Sequence, residues 1–153
     1  MTRHQRSVPA SPPSPVRRIA AGLLGAFLVF AGASHLTFAR EEFAELVPDW
    51  GPLDQDNVVV QSGIVEIALG TGLLALPASR ARWGMAAAVL FVAVFPGNLH
   101  QFLQRRDAFG LDSDAGRLTR LALQPLLVLW ALWSTGAWRE LRSPRPLHRD
   151  ARR

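Results

Sequence analysis

The chain contains no cysteine. That absence removes disulfides, thiol relays, Cys-ligated iron–sulfur clusters and thiolate metal sites, so in any redox process it serves, something else must carry the electrons. Lysine is absent too, and all 17 basic residues are arginine. Histidine is sparse, at positions 4, 35, 100 and 148. No two of these have metal-ligand spacing, so a metal site built by the protein is not expected. Half-buried periodic patterns are also scarce. The apolar residues, 49% of the 153, fall in long blocks, as expected of a membrane protein rather than a small soluble domain.

The mean hydropathy is only +0.13 because basic ends dilute four strongly apolar blocks. The formal charge of +5 is concentrated near the termini. A pI of about 11.5 taken alone points to nucleic acid. Arginine flanks beside apolar spans are instead what inner-side membrane anchoring produces, and no nucleic-acid partner is expected.

Residues 1–16 are too rich in Pro and Ser to fold and too polar to enter lipid, which predicts a disordered cytosolic tail. Arg17 and Arg18 open a first span over about 18–38. Ala31-Gly-Ala33 looks like a signal-peptidase site, but the apolar run continues through Leu36 and Phe38, so this span is read as uncleaved. Residues 39–56 are acidic. Phe43, Leu46 and Val47 there suit a short helix on the membrane surface, stopped by Pro48, with Trp50 at interface depth. A second span covers about 57–77. After the basic turn at 78–82 a third covers about 83–102, and its Pro96 frees the Val92 carbonyl for a kink or a polar partner. A fourth covers about 117–138, and 139–153 form a basic cytosolic tail.

Arginines gather at the N-terminus, the 78–82 turn and the C-terminus, opposite the acidic 39–56 loop. The positive-inside rule then places both termini in the cytoplasm. Short loops make neighbouring spans antiparallel, so the predicted fold is all-α, an integral membrane up-down four-helix bundle, multi-pass in the cell membrane with the lipid bilayer as its first partner.

Span direction fixes the depth of each polar residue at about 1.5 Å per residue. His35, Asn98, Gln101 and Gln124 fall in the outer half, and Glu66 sits near the midplane with Ser62 one turn away. A mid-membrane carboxylate is expensive, so Glu66 is expected to be protonated or paired with His35 or Arg120. His35, Ser62, Glu66, Asn98 and Gln124 form the candidate ligand-binding set of an outward-opening polar pocket over an apolar floor, with Glu66 and His35 as proton-handling candidates. The same groups can instead bond one another and simply fix helix packing. Gly25 and Gly32 on the first span, and Gly63 and Gly70 on the second, permit close helix approach.

Gly32-Ala-Ser-His35, Phe43-Ala-Glu-Leu-Val47-Pro48-Asp-Trp50, Ser62-Gly63-Ile-Val-Glu66-Ile-Ala-Leu-Gly70-Thr-Gly-Leu-Leu-Ala-Leu-Pro77, Phe95-Pro96-Gly97-Asn98 and Leu123-Gln124-Pro125 resemble the DoxX-like family of small bacterial membrane proteins across about residues 19–138. Leu36 and Ala39-Arg40 stand where that family usually has Phe after the His and a Pro shortly beyond. The resemblance implies a four-span membrane fold. Some members are associated with quinone-linked oxidation or membrane redox complexes, which implies a quinone-interacting or anchoring subunit, a bound quinone, and membrane or soluble oxidoreductase subunits as partners. The alternative is a non-catalytic assembly, structural or small-solute-handling protein.

Overall fold

The computed structural model describes residues 14–49, 51 and 53–142. The described residues are helical, with no strand. Trp50, most of the N-terminal tail and most of the C-terminal tail lie outside them.

Helix α1 (Pro15–Leu36) begins where local chemistry favours a start: the Ser14 hydroxyl accepts from the Arg17 N–H at 3.5 Å, and Pro15 takes the first helical position, where its missing N–H is harmless. Short α2 (Arg40–Ala44) follows. Asp54 caps α3 (Gln55–Ala75) by accepting from the Asn57 N–H at 3.1 Å. A 3-10 turn at Pro77–Ser79 leads into α4 (Arg80–Ala93), and α5 (Phe95–Gln104) follows directly after Val94. The single third span expected from the sequence is therefore two helices. They divide at Val94, two residues before the proline that cannot extend an α-helical ladder. Ser113 caps α6 (Asp114–Thr135), Gly136 ends it at a φ of 85°, and α7 (Ala137–Arg142) closes the described chain.

Three of these segments are long and apolar enough to cross a membrane: Pro15–Leu36, Gln55–Ala75 and the α4–α5 stretch Pro77–Gln104. Helix α6 has comparable length at 22 residues, but Arg117, Arg120 and Gln124 lie in its first half and Pro125 just past its midpoint. Ile19, Leu23, Val89, Val92 and Leu126 are exposed.

Helix α1 lies along α3 and α4 along α6, while α1 also meets α6 and α3 meets α4. The α1–α3 seam is antiparallel and tight. A Cβ at Gly70 would stand 2.5 Å from the Gly25 carbonyl oxygen, and one at Gly63 would stand 2.9 Å from that of Gly32. Leu24, Leu28, Leu69, Leu73, Ala87 and Ala131 fill the end where α1 and α4 begin and α3 and α6 finish. At that end the Arg17 Nε donates to the Trp133 carbonyl at 2.9 Å, satisfying a carbonyl in the last turn of α6. The polar residues gather at the opposite end.

Of the short helix expected around Phe43, Leu46 and Val47, α2 covers Arg40–Ala44 only; Leu46 is buried, and all three residues line a cavity.

Candidate functional site

The end away from the apolar core holds a cavity of about 1020 Å³ between α1, α3, the α4–α5 break and α6, with the α2 segment over it. Its lining is mostly apolar, with two polar walls.

His35 and Glu66 form the first wall, and both are buried. The close α1–α3 seam brings them together: a Cβ on Gly63 would stand 2.8 Å from the His35 Cβ. His35 Nδ1 lies 3.1 Å from Glu66 Oε2 and 2.9 Å from the Ala31 carbonyl oxygen. One ring N–H thus faces two oxygens. Aligned geometry goes to Ala31, and Glu66 Oε2 is buried without a hydrogen-bond partner although it stands at ion-pair distance. Phe43 stacks on the His35 ring, centroids 3.4 Å apart, and fixes its plane. Ser62 lines the cavity one turn before Glu66, half-buried.

The second wall joins α5 to α6. Asn98 Nδ2 donates to Gln124 Oε1 at 2.8 Å, and Gln124 Nε2 donates to the Phe91 carbonyl at 2.7 Å. All three residues are buried. The backbone carbonyl that gains a side-chain partner is that of Phe91, one residue before the Val92 carbonyl expected from the position of Pro96. Arg120 Nε donates to Asn98 Oδ1 at 3.1 Å, and its guanidinium carbon sits 4.5 Å from the centre of the Phe109 ring. Among the described residues Arg120 has no carboxylate partner, so its expected alternative pairing with Glu66 is not made. Asn98 and Gln124 are largely committed to each other, to Arg120 and to backbone.

A row of rings connects the walls. Phe43 stacks on His35, Phe109 meets Phe43 edge-on at 4.6 Å, and Arg120 covers Phe109. Phe109 reaches this position from the α5–α6 loop at a φ of 59°, which is strained for a residue with a Cβ. Contacts around it hold the strain. Its N–H donates to Glu42 Oε2 at 2.5 Å, and Arg106 pairs with Glu45 at 3.2 Å and with Asp49. Buried Arg117 pairs with Asp107 and Asp114 and donates to the Arg106 and Asp112 carbonyls. Arg40, outside the long helices, is held above its ordinary pKa by its hydrogen bonds to Asp56.

Sequence reasoning missed the roles of Phe43, Phe109 and Arg117. Phe109 offers no periodic signal, only a phenylalanine before a loop glycine. Arg117 reads as an ordinary charge at a helix start. Gln101 and His100, both noted in the sequence, take no part in either wall: Gln101 is buried with an unpartnered Nε2, and half-buried His100 has an unpartnered Nε2.

These features define an all-helical protein with membrane-length apolar helices and a cavity walled by a His–Glu pair and an Arg–Asn–Gln chain. Residues 24–135 match the family described as Domain of unknown function (DUF8561), and the chain belongs to that family. No curated protein and no solved structure matches the chain.

Proposed function

We propose that the chain is a multi-pass protein of the cell membrane, an up-down four-helix bundle with α6 as the fourth span and both termini cytoplasmic, whose outer-half cavity binds an apolar ligand with an oxygen-bearing head. The arginines at 17, 18, 80, 82, 139 and 142 on one end, against the acidic 39–56 segment on the other, support the orientation. The DoxX-like resemblance supports a quinone as the ligand and a role as a quinone-interacting or anchoring subunit beside oxidoreductase partners.

The observation that carries the ligand reading is Glu66 Oε2, buried without a hydrogen-bond partner among the described residues and 3.1 Å from the His35 ring nitrogen, on a residue that lines a cavity of about 1020 Å³. A desolvated carboxyl facing a cavity is costly unless it exchanges a proton or a hydrogen bond with an occupant. The residues fit a quinone in polarity and room: Glu66 and His35 hold or move a proton at one wall, and Arg120 offers further N–H donors at the other. The quinone supplies the redox chemistry when bound.

A second reading, a non-catalytic assembly, structural or small-solute-handling protein, is favoured by one observation: the Asn98–Gln124–Phe91 chain is internally satisfied and works as interhelical packing. Solvent extraction of protein purified in mild detergent separates the two. Quinone in near-stoichiometric amount is expected. A content no higher than in an unrelated membrane protein purified alongside refutes the quinone reading.

A further inference from the structure

Four arginines at the polar end each pair with at least one carboxylate: Arg40 with Asp56, Arg105 with Asp114, Arg106 with Glu45 and Asp49, and Arg117 with Asp107 and Asp114. Acidic side chains are plentiful there. Arg120 differs. Among the described residues it has no acidic partner, although it lies about 9 Å along α6 from the helix start and is only partly exposed. It lines the cavity. Its neighbours are the Asn98 amide oxygen at 3.1 Å and the face of Phe109, both neutral. A guanidinium carries five N–H donors in a planar fork that matches an oxyanion. A partly desolvated cation without a counter-ion is unfavourable unless a ligand brings the charge.

We propose that the occupant of the cavity is an amphiphilic anion, an apolar body bearing one ionised oxygen head, a carboxylate or an acidic enol, and that Arg120 binds the head. The inference rests on the ligand-binding reading of the cavity and narrows its ligand class, admitting among quinones only those whose ring bears an acidic hydroxyl. The apolar lining from Phe27, Phe30, Leu90 and Leu127 takes the body. Asn98 and Gln124 act as positioning residues: Gln124, fixed on the Phe91 carbonyl, orients Asn98, whose Oδ1 holds the Arg120 Nε. The Phe109 face sets the plane of the fork.

Equilibrium binding to the full chain in a non-ionic detergent tests this with two matched pairs, laurate against lauryl alcohol and phthiocol against menadione. In each pair the first is ionised at neutral pH and the second is neutral. The anion is expected to bind at least about tenfold more tightly than its neutral partner, the gap of one well-made charge-assisted contact. Arg120→Gln, which keeps a donor for Asn98, is expected to abolish that preference by weakening the anion of each pair about tenfold more than its neutral partner. Arg120→Lys, which keeps the charge but not the fork, is expected to fall between, and its retained preference guards against a folding defect in the glutamine variant. Equal binding within both pairs, unchanged by Arg120→Gln, overturns the anion proposal and leaves the cavity reading standing. Failure of all four probes to bind saturably overturns both.

Discussion

Replacing Gly70 by alanine adds one methyl group at one of the tightest points of the seam that holds His35 against Glu66. The new Cβ would stand 2.5 Å from the Gly25 carbonyl oxygen and 2.8 Å from both the Val29 backbone nitrogen and its Cγ2, whereas ordinary contact begins at 3.4 Å. The shortfall is about 1 Å, and two of the three obstacles are backbone that no rotamer change can clear. Helices α1 and α3 must therefore separate by about that distance, and a gap of 0.5–1 Å already forfeits roughly a quarter to a half of each dispersion contact along the seam. Overpacking of this kind costs about 1–3 kcal/mol. Gly22 lies on the same α1 helix with nothing within 4 Å of its notional Cβ, so Gly22→Ala is the matched control and is expected to be neutral or to gain up to about 1 kcal/mol of helix propensity. Thermal unfolding in mild detergent, followed by tryptophan fluorescence, should show Gly70→Ala melting several degrees below the parent, at about 2–4 °C per kcal/mol for a chain of this size. Gly22→Ala should melt at or above the parent. Equal melting of the two variants refutes the close-seam account.

Gln124→Leu strips the Asn98 amide and the Phe91 carbonyl of their partner, and is expected to lower stability by about 1–3 kcal/mol in the same melting assay. Glu66→Gln keeps an acceptor for the His35 ring and removes the proton site, so it is expected to melt with the parent while losing bound ligand on solvent extraction; retained ligand refutes a proton-handling role. In this cysteine-free chain, Leu53→Cys and Ala78→Cys report topology: an impermeant thiol reagent on whole cells should label position 53 and spare 78, and the reverse pattern inverts the proposed orientation.

The helices were legible because their signals are local. The apolar blocks placed the segments that became α1, α3 and α6 to within about three residues at each end, and serine and aspartate caps at 14, 54 and 113 account for where they begin. Pro96 announced an interruption in the third segment. What it left open was the extent, a full division into α4 and α5 at Val94.

By itself the sequence determined the helical class and the end at which polar groups collect, and it offered His35 as one of two partners for Glu66, because block length, capping and the position of a polar residue along a span follow from neighbours in the chain. The glycines at 25, 32, 63 and 70 even marked the faces of α1 and α3 that meet. Only the tertiary structure decided that Arg120 joins Asn98 rather than Glu66, that Gln124 reaches the Phe91 carbonyl, and that Phe109 enters between Phe43 and Arg120. Those contacts depend on how each helix is rotated about its own axis, where one residue is a turn of about 100°. They also depend on a loop conformation held by ion pairs to residues some sixty positions away, such as Arg106 to Glu45, and nothing in the local pattern encodes either.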